Sequence, residues 1–332
     1  VVHPEATKCV GDDHTLEKLG YKILIKDVPI DPSEIRGADL REAIVVSGCC
    51  QEKELLKLYG YTLVQHDVVV LVDLDILILK PMDNLYDSML DDLSPAKSEL
   101  PIMFNKHPPR QIKAFFTKDY GMLNPGQFES GWKPGVQGGF IVIKPDMDVF
   151  EEYRQVILEG NFTGGRGWGD LHYGRHWGDA QIQGLVSYFY GELHKDEAVE
   201  LNRCIYDTMV DKKYHDKTEI CVTAEDECED CAETNLEDIK SVHFTVCQKP
   251  WSCIRFQGHR NIPRQDLCNR LHLEWFKVRK DMETMWSEKY DWTPPKSNDG
   301  DNAKPTRRLG YCQGDSERDY IPIVFPKHIQ AK

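Results

Sequence analysis

The sequence lacks a long apolar run. Its longest, Val68 to Leu79, is a dozen residues interrupted by Asp73 and Asp75. A membrane-spanning helix needs about 20, so this run reads as a buried strand. Basic charge is also scarce: 41 Lys and Arg face 55 Asp and Glu, for a formal charge of −14. Such a surface repels polyphosphate and excludes general nucleic-acid binding. A local site where a cation cancels phosphate charge stays open. No internal repeat is found. The chain does not begin with Met but with Val1-Val2-His3-Pro4, which reads as a missing true start, and any signal or membrane anchor would have been lost with it. Membrane attachment is expected only through such a segment.

What is present is ordinary for a globular protein: 332 residues, 40% apolar and 29% charged, enough for one large α/β domain or two small ones. The eleven cysteines are not ordinary. Seven of them, Cys204, Cys221, Cys228, Cys231, Cys247, Cys253 and Cys268, crowd one stretch. Three readings are open: a disulfide-stapled insert, a structural zinc site, or free thiols. Cys228 and Cys231 have C-x-x-C spacing, but no second such pair follows at a regular distance, which favours disulfides. An odd total leaves at least one thiol unpaired within the chain. The sequon Asn161-Phe162-Thr163 adds to the case for an oxidising lumen.

Along the chain, Tyr21 to Val28 reads as a strand. Gln51 to Tyr61 reads as a helix with Leu55, Leu58 and Tyr59 on one face. Val68 to Val72 reads as a strand buried on both sides of a parallel sheet. A polar, Pro-rich connection leads to the buried strand Gly138 to Ile143. A helix is expected over Asp148 to Leu158 from an Asp cap, then an irregular loop over Gly160 to Gly178, which holds seven glycines in nineteen residues. Helical periodicity resumes over Asp179 to Tyr190. Val242 to Thr245 reads as a strand end, Gln265 to Lys289 as a long charged helix, and 291–310 as a linker or tail.

Two constellations carry chemistry. Asp73 and Asp75, two apart on an extended chain, point the same way at the end of a strand, where open α/β sheets bind ligands. Burying two bare carboxylates costs several kcal/mol, and a divalent cation removes that cost. The other reading is that they cap a turn in solvent. The second constellation is His243-Phe-Thr-Val-Cys-Gln-Lys249-Pro250-Trp251. Its imidazole suits a third ligand of a borderline metal such as manganese, and Lys249 suits a phosphate. Direct coordination reaches only ~2 Å, so an imidazole more than about 8 Å from the aspartates would exclude the set.

These motifs resemble glycosyltransferase family 8, which includes glycogenin. The likeness runs through Lys57 to Tyr61, Asp73-Leu74-Asp75, Gly138 to Pro145, Gln183-Gly184-Leu185 and His243 to Trp251, over about residues 20 to 280. Cys247 and Cys253, flanking Lys-Pro-Trp, make it more similar to secretory-pathway members than to cytosolic glycogenin. The resemblance implies a Rossmann-like mixed α/β sheet of the GT-A type, its N-terminal strand missing. The transferase domain would span 1–280, with the cysteine-rich insert 204–268 and the Lys-Pro-Trp loop inside it, and a tail over 281–332.

The resemblance further implies a retaining transferase that uses Mn²⁺ to move a hexose from a UDP-sugar to a carbohydrate or glycoprotein acceptor in the Golgi lumen, with the cytoplasm as the alternative. Asp73, Asp75 and His243 would hold the ion. Lys57 and Lys249 would bind the diphosphate, Asp73, Leu74 and Asp75 would be part of the nucleotide-sugar site, and Gln137, Gly138 and Gly139 would contact the sugar hydroxyls. Asp179 and Gln183 would be the catalytic pair. With one amide, Gln183, at the reacting face, same-face attack fits retention better than a carboxylate nucleophile. Three departures set this chain apart: no Thr-Asn-x-x-Tyr strand precedes these motifs, Val246 replaces a phosphate-loop glycine, and Ile182 replaces the Asp before Gln183. A catalytically inactive nucleotide-sugar binder and a zinc-dependent interaction module are the alternatives. The Trp168 to Trp177 segment reads as an acceptor loop or an aromatic knot.

Overall fold

A computed structural model describes residues 1–7, 15–18, 20–103, 107–215, 219–223, 228–252 and 262–290. The expected linker over 291–310 and the remainder of the tail lie outside them. The described chain is a mixed α/β structure around a four-stranded sheet ordered β1-β4-β3-β7. Here β1 is Val69–Val72, β2 Ile76–Ile78, β3 Ala114–Asp119, β4 Gly135–Ile143, β5 Phe162–Thr163, β6 Gly167–Trp168, β7 Ala198–Glu200 and β8 Ser241–His243. β4 runs antiparallel to both β1 and β3, and β7 is parallel to β3.

All nine residues of β4 are buried, and its side chains alternate between the two faces as a pleat requires. Ile141 and Ile143 join one core cluster with α1 (Ala38–Ile44), the 3-10 helix Gln51–Thr62, α3 (Met147–Glu159) and α4 (Ile182–Tyr188). Phe140 and Val142 join a second, with Met82, Leu85 and Met89 from the segment of α2 (Asp83–Leu90). A third cluster lies apart, built from Leu77, Val210, Val242, Phe244 and the long α5 (Ile262–Tyr290).

Several expectations need correcting. β1 is neither parallel to its partner nor buried on both sides: it is an edge strand, and Val72 is 46% exposed. Its apolar run is as strong as that of β4, and periodicity cannot tell which strand gains two partners. Tyr21 to Val28 forms only an isolated bridge, Val2 to Ile25, on the exterior. The polar connection after residue 81 in fact carries α2 and β3. Gln51–Thr62 is a 3-10 rather than an α-helix. In a three-residue turn, side chains three apart stack, so the buried face is Leu55, Leu58 and Tyr61, and Tyr59 is only partly covered.

Other elements form close to their expected positions: β4 begins three residues early, at Gly135, β8 ends at His243 instead of Thr245, and α3 starts at Met147, capped by Asp146, whose carboxylate accepts the Asp148 N–H at 2.8 Å. The glycine-rich segment is partly ordered. β5 and β6 form a hairpin whose Trp168 is fully buried and donates its indole N–H to the Asp179 carbonyl at 2.7 Å.

The cysteine cluster resolves into disulfides Cys204–Cys231, Cys221–Cys228 and Cys247–Cys268. Cys228 and Cys231 belong to different bridges, which removes the zinc-knuckle reading. Cys49 and Cys50 are free thiols. Cys9, Cys253 and Cys312 lie outside the described residues. No helix among the described residues is long and apolar enough to cross a membrane.

Candidate functional site

The chain leaves the four-stranded sheet at the end of β1, turns through Asp73 to Asp75, and continues as β2 of a separate two-stranded sheet with β8. The Asp73 N–H still bonds the Gly139 carbonyl at 2.9 Å, and the Ile76 N–H closes the turn on Asp73 at 3.2 Å. The aspartates therefore sit on a tight turn rather than on an extended strand. Leu74 between them is fully exposed. β2 pairs antiparallel with β8, setting Ile76 opposite His243, and this pairing carries the imidazole to the aspartates. Ligand atoms of Asp73, Asp75 and His243 all lie within 4.8 Å of one another.

Gly139 completes the arrangement. A Cβ there would lie 2.5 Å from His243 Cε1 and 2.6 Å from Nδ1, so the bare backbone of β4 is what lets the ring pack. His243 Nε2 faces Asp75 at 3.4 Å, and Nδ1 faces Asp207 at 3.6 Å. His243 Nδ1 and Asp207 Oδ1 are both buried without a hydrogen-bond partner. The Thr117 hydroxyl donates to the other Asp207 oxygen at 3.2 Å.

Cationic side chains crowd the same carboxylates. Lys57 Nζ lies 2.8 Å from Asp73 and donates to the Gly138 carbonyl at 2.9 Å and to Glu54 Oε1 at 2.5 Å. Lys249 Nζ pairs with Asp75. Burial opposes the charged form of Asp75, but the hydrogen bonds and charges of His243 and Lys249 outweigh it and hold the carboxyl below its ordinary value. Burial likewise pulls His243 down, and Asp75, Asp207 and Asp73 together push it above its ordinary value. Lys57 is desolvated, yet Glu54 and Asp73 raise it, so it stays an ammonium.

Asp73, Asp75, His243, Lys249 and Glu54 line a cavity of about 590 Å³ together with Gln137, Gly138, Gln183, Trp177, Val246 and the acids Asp119 and Asp211, and Lys57 reaches it only through Asp73 and Glu54. Gln137 Oε1 accepts the Gly139 N–H at 3.2 Å. Gln183 lies against Gly138 and Gly178. Asp179 does not line the cavity: its carboxylate accepts the Arg175 N–H at 2.8 Å, closing the turn before α4. Ile182 is buried in the core beside the sheet. Within the glycine-rich segment, Trp168 is core, as an aromatic knot requires, and Trp177 lines the cavity, 66% exposed.

Sequence reasoning missed the acidic wall. Burial, then the neighbouring Asp211, pushes Asp119 up to about 7. Burial pushes Asp207 up to about 8 and also raises Asp211. The one local signal was the run Ala114-Phe115-Phe116-Thr117 ahead of Asp119, enough to propose a strand end. Asp207, Asp211 and Glu54 carry no such mark.

A scan against protein-family models finds no match, and none is found among curated proteins. Among solved structures, the apo form of mouse xyloside xylosyltransferase 1 aligns over 73% of this chain and 82% of its own, at 12% identity and a TM-score of 0.40. Likeness at that level decides nothing about chemistry, which rests on the residues themselves.

Proposed function

We propose that the chain is a retaining glycosyltransferase that moves a hexose from a UDP-sugar to a carbohydrate or glycoprotein acceptor with Mn²⁺, in the lumen of the secretory pathway. One observation carries this reading: two carboxylates and an imidazole converge from distant parts of the chain on a cavity also lined by Lys249, with Lys57 bonded to Asp73. The donor set fits a manganese ion by its chemistry. His243 offers Nε2 on the Asp75 side, and Asp207 stands 3.6 Å behind Nδ1, on the side where a carboxylate supports a metal-bound histidine but without a hydrogen bond in this structure. When bound, the ion would supply positive charge to the diphosphate and to the departing UDP.

The residues do the rest. Lys57 and Lys249, ammonium groups held by Asp73 and Asp75 in this structure, bind the diphosphate and stabilise the charge that develops on it. Gln137 and Gly138 hold sugar hydroxyls at the β4 wall, while Gly139, which does not line the cavity, gives His243 room to pack. Asp119 and Asp211, whose acids are held toward the protonated form, donate and accept hydrogen bonds to hydroxyl groups in the cavity. Gln183 presents its amide at the reacting face, and the acceptor attacks on the side that UDP leaves. Because the Asp179 carboxylate is occupied by the Arg175 amide, its role here is to hold the turn. A covalent glycosyl adduct on Asp179 detected by mass spectrometry would overturn that assignment. The three disulfides among the described residues support an oxidising compartment.

Isothermal titration with UDP and Mn²⁺ tests the site. Wild-type chain should show coupled binding that Asp75→Ala abolishes; equal weak binding by both would defeat the assignment. The second reading is a nucleotide-sugar binder without turnover, favoured by Val246, whose side chain lines the cavity where the resembling family has glycine. UDP-sugar hydrolysis with and without Mn²⁺ separates the two, because an active enzyme shows metal-dependent release of UDP.

A further inference from the structure

Cys49 and Cys50 have no part in the chemistry above, yet Cys49 lines the same cavity. Their Sγ atoms lie 2.9 Å apart without a bond, and Glu54 Oε2 lies 4.0 Å from Cys49 Sγ. Ligand atoms of all three residues fall within 4.8 Å of one another. The loop that presents them is anchored. Gly48 has φ of +62° and sits so close to Gln181 that a Cβ would meet its Oε1 at 2.0 Å. Gln181, 2% exposed at the start of α4, donates to the Ser47 carbonyl at 2.7 Å.

Glu54 is divided between two neighbours. Its Oε1 holds Lys57, and its Oε2 faces the thiols. Two sulfurs and one carboxylate oxygen differ in kind from the Asp73, Asp75 and His243 set. Thiolates select thiophilic cations, whereas carboxylates suit harder ones.

We propose that Cys49, Cys50 and Glu54 form a second cation site, for a thiophilic divalent ion such as zinc or cadmium, at the rim of the cavity. Three protein ligands leave a tetrahedral ion one open position, available to a phosphate or carboxylate oxygen of a cavity occupant. Binding displaces both thiol protons to solvent. Because Glu54 also holds Lys57, which holds Asp73, occupancy at the rim is transmitted to Asp73. The proposal does not depend on the transferase reading.

Cadmium alone, titrated into the full chain purified without reductant, tests it. Wild-type chain should develop a thiolate-to-cadmium charge-transfer absorption. The Cys49→Ser/Cys50→Ser variant should lose it, and Cys49→Ser alone should lose most of it, which serves if the double variant fails to fold. Glu54→Gln should keep the absorption but bind at least about 10-fold more weakly, since losing a direct ligand costs no less than losing a group that only supports one. Asp75→Asn should leave it unchanged, which separates this site from the first. An equal absorption in the cysteine variants, or peptide mass spectrometry showing Cys49 or Cys50 already in a disulfide in the purified protein, overturns the proposal.

Discussion

The two halves of this molecule hold together by different means. The sheet half packs Tyr61, Tyr153, Trp168 and Phe189 with the inner faces of β3 and β4 into a wide apolar core, and its described cysteines, Cys49 and Cys50, are free. The half that carries His243 and Lys249 has a smaller core of Leu77, Val210, Val242, Phe244 and Leu271, and Cys247 and Cys268 of its disulfide are part of that core. Small cores bury too little surface to offset chain entropy and gain from crosslinks. The site lies across the join, aspartates from one half and imidazole from the other. Its integrity therefore depends on the weaker half.

The comparison can be broken most severely at Trp168. Trp168→Ala removes a fully buried ring and its bond to the Asp179 carbonyl, and should cost roughly 3–5 kcal/mol, read as a fall in the denaturant midpoint of the sheet half. A cost under about 1 kcal/mol would mean that the hairpin is not part of the core. Next comes Cys247→Ala/Cys268→Ala, which opens a loop of 21 residues and should cost roughly 3 kcal/mol. Mn²⁺ affinity should vanish before the far-ultraviolet signal of the sheet is lost. A single coincident transition would show that the halves unfold as one.

Smaller effects sharpen the picture. Gly139→Ala forces the His243 ring aside and should weaken Mn²⁺ binding about 10- to 100-fold with the fold kept, as calorimetry would report. The last test is a pH slope. Burial and Asp211 raise Asp119 to about 7, so the folded chain keeps a proton there that the unfolded chain releases near its ordinary value. Stability from this group is full at acid pH, falls as pH rises from about 4 toward about 7, and is flat beyond. In metal-free protein, Asp119→Asn should flatten the decline of Tm over that window. An unchanged slope would assign the decline to other groups.

How much could be read in advance differs residue by residue. Asp73 and Asp75 stood out because carboxylates interrupting an apolar run demand a reason, and His243 to Trp251 because imidazole, lysine and an anchoring Pro-Trp recur in one short stretch. β4 and α3 were legible from apolar continuity and an Asp cap. The 3-10 geometry of 51–62 was not, since Leu55 and Leu58 suit either helix and only packing chose Tyr61 over Tyr59. Asp119, Asp207, Asp211 and Glu54 were invisible because what marks them is desolvation by distant parts of the chain.

The sequence by itself determined an acidic mixed α/β chain with a two-aspartate turn, a histidine-lysine loop and a cysteine-rich stretch, because those signals lie in neighbouring residues. Only the tertiary structure decided that the apolar strand before the aspartates lies at the sheet edge, which cysteines pair, that Asp179 turns away while Asp119 and Asp211 face the cavity, and that two thiols meet Glu54 at its rim. Each of those depends on which distant segments share space, and burial and charge between such segments are not written in any one of them.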